Sequence, residues 1–218
     1  EKPIETISRD GFKAEIFQDI EPSNPFREWD QLGTLYINNM GASKETDSLS
    51  DIGEALREAA EARGIAYIVY TGYRGDGCYL GDKVKFRFNL STGEQSINPN
   101  YDCSGADGLI WVSRERIAKE YGKDTRANRT KAGKCLKVEV DTYGQYLSGD
   151  VYGIVVSREK DAGEECECEE ETVESCWGFF GFDYAKKEAE TMLQCCIDSA
   201  REDKETLAKA ASMEGAGI

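Results

Sequence analysis

A segment rich in glycine and tyrosine, residues 141–156, restricts the fold of this chain more than any other. It reads DTYGQYLSGDVYGIVV and places three tyrosines, three glycines and two aspartates around the start of an apolar run. Turn-forming residues at this density are unfavourable in a helix interior, and the aromatic content is too high for a simple linker. We interpret the segment as a shaped junction, entered by a helix over 134–146 and left by a strand over 151–156.

A second aromatic segment follows at residues 174–184, with the sequence ESCWGFFGFDY. Its rings alternate with small residues, as they do in the junction. We predict that the two segments meet in the fold. We also interpret the junction as a hinge that holds two oppositely charged surfaces at a fixed angle.

Hydrophobic periodicity elsewhere predicts an α+β fold. Strict alternation or short apolar runs indicate strands at 11–20, 34–38, 65–70, 83–90 and 109–112. Helices are indicated after Ser48 and from Ser113 to Gly122, because serine can cap the start of each and glycine the end. A third helix is indicated over 183–211 by apolar residues at helical spacing. The glycine-rich stretch at 71–82 matches no phosphate-binding motif, and we predict a flexible loop there.

A length of 218 residues suits one sizeable core. We predict a single domain over residues 1–212, with a mostly antiparallel sheet packed against three to four helices and one face covered by the last helix. An acidic loop at 159–174 is expected as an insertion, and residues 213–218 as a flexible tail. We expect a cytoplasmic location in the host cell, because no apolar run approaches a membrane span and the first ten residues lack a secretory core.

The charge composition disfavours some partners. The chain has 27 basic and 42 acidic side chains, a net charge of -15 that repels free polyanions at long range. It contains no histidine, which excludes Ser-His-Asp and Cys-His relays and histidine metal sites. Any enzyme of this sequence would depend on carboxylates, lysine, tyrosine or thiols.

The eight cysteines are interpreted as reduced thiols rather than a disulfide framework, which belongs to short secreted chains. A four-thiolate zinc site remains open for Cys166, Cys168 and Cys176 with Cys195 or Cys196. The spacing argues against it, because C-x-C is not the usual C-x-x-C arrangement and vicinal cysteines on a helix point in different directions. We therefore predict no metal and no cofactor.

Two segments concentrate opposite charges. Residues 114–137 hold nine basic and three acidic side chains, whereas residues 159–174 hold nine carboxylates and one lysine. The basic candidates for nucleic-acid contact are Arg114, Arg116, Arg126, Arg129 and Lys131, with Lys83, Lys85 and Arg87 as neighbours. The acidic candidates for partner contact are Glu164, Glu165, Glu167, Glu169, Glu170 and Glu171, although such blocks are most often solvated loops.

Four motifs resemble a family of uncharacterised proteins carried by bacteriophages and mobile elements. They are REWDQLG (27–33), LIWVS with a helix ending EYG (109–122), TYGQYLSGDVYG (142–153) and ESCWGFFG (174–181). The resemblance implies a genomic context rather than an activity. Two loops depart from the family pattern, at 73–77 and at Cys103-Ser104-Gly105, so a site formed by those loops would be altered or lost here.

Three functions are compatible with these features. The favoured one is a non-enzymatic acidic binding protein that inhibits a host nuclease or defence complex of the anti-restriction or anti-CRISPR type, presenting carboxylates where DNA phosphates would bind. The alternative is a nucleic-acid-binding accessory protein that uses the basic segment. An enzyme would have to use Tyr143, Tyr146, Asp150 and Tyr152, with Asp141 nearby. In the competing structural interpretation these tyrosines and Trp177 anchor the core, and Asp150 caps or turns the backbone.

Overall fold

A computed structural model describes residues 2–37, 52–71, 77–89, 91–92, 95–97, 106–159 and 170–214. Its helices are α1 (Pro25–Glu28), α2 (Ile52–Glu61), α3 (Arg114–Tyr121), α4 (Arg126–Ser148) and α5 (Phe182–Glu214). Its strands are β1 (Glu5–Arg9), β2 (Phe12–Gln18), β3 (Thr34–Ile37), β4 (Ile65–Thr71), β5 (Cys78–Lys83), β6 (Phe86–Phe88), β7 (Gln95–Ile97), β8 (Gly108–Val112), β9 (Val151–Glu159) and β10 (Glu170–Phe180). All strand pairs within these residues are antiparallel, which confirms the predicted α+β class.

The chain divides into two compact units. Residues Ser23–Ser148 form an inserted unit, and the two ends of the chain, Glu1–Pro22 and Gly149–Ile218, together form a terminal unit. The prediction of one domain over residues 1–212 did not anticipate this division. The boundary between Ser148 and Gly149 lies inside the junction at residues 141–156.

The terminal unit is a four-stranded sheet in the order β1-β2-β9-β10, covered on one face by α5. Strands from opposite ends of the sequence lie side by side, with Ile16 opposite Ile154 and Ala14 opposite Val156. These residues pack against a stripe of α5 that is also fully buried: Ala185, Ala189, Leu193 and Ile197. The long last helix therefore covers a sheet face, as its apolar periodicity predicts.

The two aromatic segments meet along β9 and β10. Trp177 lies opposite Gly153, and Phe179 lies opposite Tyr152. A Cβ atom at Gly153 would lie only 2.0 Å from the Trp177 ring, so only glycine leaves room for the indole there. The glycine of one motif and the tryptophan of the other thus form a single cross-strand pair.

Both ends of the predicted acidic loop belong to strands. Glu159 ends β9, and residues 170–174 form the start of β10 rather than part of a loop. Pairing with β9 draws them into the sheet, with register shifts after Thr172 and after Trp177. Residues 160–169 lie outside the described part of the chain. Helix α5 continues to Glu214, so residues 213 and 214 of the predicted tail are helical, and residues 215–218 lie outside the described part of the chain.

The inserted unit has a second four-stranded sheet in the order β3-β8-β4-β5, and a two-stranded sheet of β6 and β7. The run IAYIVY becomes the interior strand β4, as a continuous apolar strand predicts. Helix α4 packs on one face through Leu136, Val140 and Tyr143, and α2 packs in a separate cluster through Leu56 and Ala59. Serine and glycine cap α3 as predicted: Ser113 accepts a hydrogen bond from the Arg116 amide, and Gly122 has φ 78°.

Two predictions in this unit are wrong. The stretch 71–82 was expected to be a loop, but Cys78–Lys83 forms strand β5 against β4. The strand expected over 83–90 is broken, because β5 ends at Lys83 and β6 begins at Phe86. Alternation predicted the buried side of Val84 correctly, but the amide of Val84 donates to Ala66 while β6 pairs with β7. Within the described residues, no helix is long and apolar enough to cross a membrane.

Candidate functional site

Helix α4 has a buried face and, beside it, a basic one. Ala132, Leu136, Val140 and Tyr143 recur at helical spacing and are completely buried. A neighbouring stripe recurs at the same spacing and carries the positive charge: Arg126, Arg129, Lys134 and Lys137, with Thr130 and Gly133 between them. The apolar face holds the helix on the sheet, and this contact fixes the direction of the basic stripe.

The basic stripe forms one wall of a groove of about 690 Å³. The other wall consists of β4, β5 and the start of β6, and Arg114 from α3 also lines the groove. Six cationic side chains line it: Lys83, Arg114, Arg126, Arg129, Lys134 and Lys137. No carboxylate is among the described residues that line it. In the described chain, no ion pair forms to Lys83, Arg126, Lys134 or Lys137.

One carboxylate behind the groove holds two of the arginines. Asp124 lies 3.0 Å from Nε of Arg129 and 3.8 Å from Nε of Arg114. Arg114 Nε also donates a hydrogen bond to the carbonyl of Arg63, at 2.9 Å. These contacts engage the Nε edge of each guanidinium. Each guanidinium carries two further Nη groups, which are the donors that arginine commonly offers to an anion.

The groove also has an apolar and aromatic floor. Tyr67 and Phe86 are half-buried, and each packs against a different hydrophobic cluster. Ile65, Leu80 and Val84 complete this surface. Burial raises the pKa of the Tyr67 hydroxyl, so it stays a neutral donor at physiological pH. A Cβ atom at Gly133 would lie 2.6 Å from that hydroxyl, so the absence of a side chain on α4 allows Tyr67 to approach the helix.

The sequence-predicted basic residues separate into two groups. Arg114, Arg126 and Arg129 line the groove, whereas Lys131 is exposed on another side of α4. Arg116 lies elsewhere, donating to Asp30 at 2.7 Å and lining a smaller cavity. Of the suggested neighbours Lys83, Lys85 and Arg87, only Lys83 lines the groove.

The five named basic candidates omit Lys134 and Lys137, although both lie in the basic segment 114–137, and the aromatic floor was not predicted. Their positions follow from Arg126 by helical spacing, so the pattern was present in the sequence. The helix was predicted to begin at Lys134, and a helix that short does not show the stripe. No local sequence pattern predicts that Lys83 lines the groove, because its position depends on where β5 packs against α4.

The smaller cavity, of about 330 Å³, contains the buried carboxylate of Glu139. Its two oxygens accept hydrogen bonds from the amides of Leu32 and Gly33, at 2.6 and 3.0 Å. Burial raises the pKa of Glu139, although these amides favour its charged form. Burial and the adjacent Glu139 also raise the pKa of the Cys135 thiol to about 11, so this cysteine is not activated as a nucleophile. The arrangement ties the REWDQLG motif to α4.

The residues considered for catalysis belong to different units. Tyr143 is fully buried in the inserted unit, 5.4 Å from Phe26 and 5.8 Å from Tyr146 between ring centres. Asp150 and Tyr152 belong to the terminal unit. There Asp150 accepts a hydrogen bond from the Phe182 amide at the start of α5, and Tyr152 packs edge-on against Phe182. These contacts are those of core anchors and a helix cap.

The acidic candidates are only partly described. Glu164, Glu165, Glu167 and Glu169 lie outside the described residues. Glu170 forms an ion pair with Lys13 at 2.5 Å, and Glu171 forms one with Arg158 at 2.7 Å. Both of these carboxylates are thus partly neutralised within the protein.

The two units differ sharply in charge. The terminal unit contains 24 acidic and 10 basic side chains, a net charge of -14, and the inserted unit contains 18 and 17, a net charge of -1. Nearly all of the negative charge of the chain is therefore carried by the terminal unit. In the described part of the chain, no cluster of three or more histidine, cysteine or acidic side chains could hold a metal ion. Cys166 and Cys168 of the zinc hypothesis lie outside that part.

Comparison with known proteins gave no match: no family model, no curated protein and no solved structure matches this chain. The resemblance to bacteriophage and mobile-element proteins stays a prediction.

Proposed function

We propose that the inserted unit binds a nucleic acid through its phosphate backbone, in the groove between α4 and strands β4 and β5. The observation that carries this proposal is the groove lining, in which the described residues include six cations and no carboxylate. Lysine and arginine side chains that contact phosphates displace condensed counterions, and this release supplies much of the affinity for nucleic acids. This is the alternative function from the sequence, with Arg114, Arg126 and Arg129 retained and Lys83, Lys134 and Lys137 in place of Arg116 and Lys131.

The charge of the whole chain is compatible with this function. A net charge of -15 weakens long-range attraction to a polyanion. Contacts inside the groove act at distances shorter than the Debye length, where salt screens them less than it screens long-range repulsion. We therefore expect modest association rates and binding that depends on the groove residues themselves.

Salt dependence gives a direct test with a labelled 20-nucleotide oligonucleotide. Four to six phosphate contacts predict that the logarithm of the association constant falls with the logarithm of salt concentration at a slope of roughly -3 to -4. Fluorescence anisotropy between about 50 and 200 mM salt measures this slope. A slope near zero would refute phosphate binding.

A matched pair of variants localises the contact. Arg126→Glu combined with Lys134→Glu reverses two groove cations, and we expect binding to fall by at least about a hundredfold at low salt. Lys123→Glu combined with Lys131→Glu reverses two exposed cations of the same unit that do not line the groove, and we expect an effect of a few-fold at most. Equal losses from the groove variant and the control would assign the binding to general charge, and not to this site.

A second candidate rests on the terminal unit, whose net charge is -14. We propose it as the acidic binding surface predicted from the sequence, directed at a cationic channel of a host nuclease or defence complex. Neither candidate requires catalysis. A pull-down of the tagged protein from a phage-infected or plasmid-bearing host tests it. Capture of a nuclease complex that is released by salt supports the candidate, and capture that is insensitive to salt contradicts it.

A further inference from the structure

We infer that the groove of the inserted unit takes single-stranded nucleic acid, with a base packed on the aromatic floor formed by Tyr67 and Phe86. This inference rests on the proposed function, because it names the form of nucleic acid that the same groove accepts.

The floor is the first reason. A phosphate backbone gains nothing from contact with the half-buried Leu80 or with an aromatic ring, whereas Ile65 and Val84 are almost completely buried and belong to the core. A nucleobase has an apolar π-face, and base–aromatic stacking is a main source of affinity in proteins that bind single strands. The groove thus combines the two features such proteins share, a cationic wall and aromatic side chains.

The support of the rings is the second reason. Tyr67 packs against the cluster beneath α4, and Phe86 packs against the cluster beneath α2. Each ring is half-buried, so part of its surface is fixed by the core while the remainder lines the groove. A ring held in this way loses little conformational entropy when a base stacks on it.

The third reason is that the base faces are accessible in a single-stranded nucleic acid but not in a duplex. In a duplex the bases are paired and stacked inside the helix, and a protein reaches the base faces only in single strands or flipped nucleotides. A groove of about 690 Å³ lies in the size range of a small-ligand pocket and not of a surface that accommodates a double helix.

Charge favours the same choice. A duplex concentrates more negative charge per unit length than a single strand. A protein with a net charge of -15 repels the denser charge more strongly. Stacking inside the groove offsets that repulsion only for a strand whose bases are accessible.

The test compares three labelled 20-nucleotide ligands with the full-length protein: a single strand, its duplex, and a single strand with abasic sites throughout its centre. We expect the single strand to bind at least about tenfold more tightly than either of the others, because only it offers accessible bases. Equal binding of all three, still lost in the Arg126→Glu/Lys134→Glu variant, would overturn the single-strand inference and leave phosphate binding intact. Absence of salt-dependent binding to any of the three, and to heparin, would overturn the proposed function itself.

Two variants then separate stacking from charge. Phe86→Leu keeps an apolar side chain but removes the ring, and we expect about a tenfold loss of single-strand affinity with an unchanged salt slope. Tyr79→Leu is the matched control, since Tyr79 is an exposed aromatic residue of the same unit that does not line the groove. Circular dichroism and thermal melting establish that both variants fold. An unaltered affinity in a folded Phe86→Leu protein, or competition by a free mononucleotide at the same nucleotide concentration, would overturn the assignment.

Discussion

The inserted unit and the terminal unit contain similar numbers of charged side chains but arrange them differently. The inserted unit has 17 basic and 18 acidic groups, so it is almost neutral, yet it gathers six of its cations around one groove. The terminal unit has 10 basic and 24 acidic groups, and the first glutamates of β10 pair with Lys13 and Arg158. The net charge of the whole chain therefore reflects the acidic terminal unit and conceals the cationic groove of the inserted unit. Four of the six groove cations are concentrated on one side of α4 by the helical spacing of the residues, whatever the net charge of the unit.

The largest expected effect comes from core substitutions that test whether the two units unfold separately. Leu136 in the inserted unit and Leu193 in the terminal unit are both fully buried. Leu136→Ala and Leu193→Ala should each lower the free energy of unfolding by about 2–5 kcal/mol, from lost burial and the cavity that remains. Hydrogen exchange should accelerate within the altered unit and much less in the other. Equal acceleration throughout the chain would show that the two units unfold together, as one domain.

A buried carboxylate of the inserted unit should contribute more to stability than an exposed carboxylate of the terminal unit. Glu139→Ala removes the acceptor of two amides in the inserted unit, and we expect a loss of about 2–5 kcal/mol because those donors remain buried without a partner. Glu171→Ala in the terminal unit breaks an exposed pair with Arg158, and should change stability by less than about 1 kcal/mol. Urea denaturation measures both. A similar cost for the two variants would contradict the structural role assigned to Glu139.

A smaller effect should appear in the pH dependence of stability. Burial raises the pKa of Glu139, so the folded protein keeps this proton to a higher pH than the unfolded chain does. Between the unfolded and folded pKa values, the contribution of Glu139 to stability falls as pH rises. Below that interval the contribution is fully present.

Glu139→Gln supplies the control, because it cannot titrate. The difference in free energy of unfolding between wild type and this variant should shift in favour of the variant from about pH 4 towards neutral. A shift in the opposite direction would mean that the amides of Leu32 and Gly33, with the charge of Arg116, outweigh burial.

The mildest contrast concerns thiol reactivity, which leaves the fold intact. Cys176 and Cys195 of the terminal unit are exposed, whereas burial raises the pKa of Cys78 in the inserted unit to about 12. Iodoacetamide at pH 8 should label the two exposed thiols well before Cys78, because the thiolate is the reacting form. Peptide mass spectrometry over a time course gives the order. Early labelling of Cys78 would contradict its buried position beneath α4.

The groove shows how far sequence alone leads. The excess of cations at 114–137 was visible, and three of the five basic candidates line the groove. Arg116 was indistinguishable from them in sequence, although its side chain pairs with Asp30. Lys83 and Phe86 come from strands placed by non-local pairing, and no pattern near them indicates that α4 lies opposite.

By itself, the sequence determined the α+β class, the capped helix α3, the interior position of β4, the covering role of α5 and the encounter of the two aromatic segments. These features follow from hydrophobic period, capping residues and turn chemistry, which act over a few residues. Only the tertiary structure decided that the chain ends build one unit and residues 23–148 another, that β5 emerges from a glycine-rich stretch, and which cations share a groove. Those outcomes depend on pairing between distant strands, such as β2 with β9, whose energy comes from packing across the sheet and leaves no local trace in the sequence.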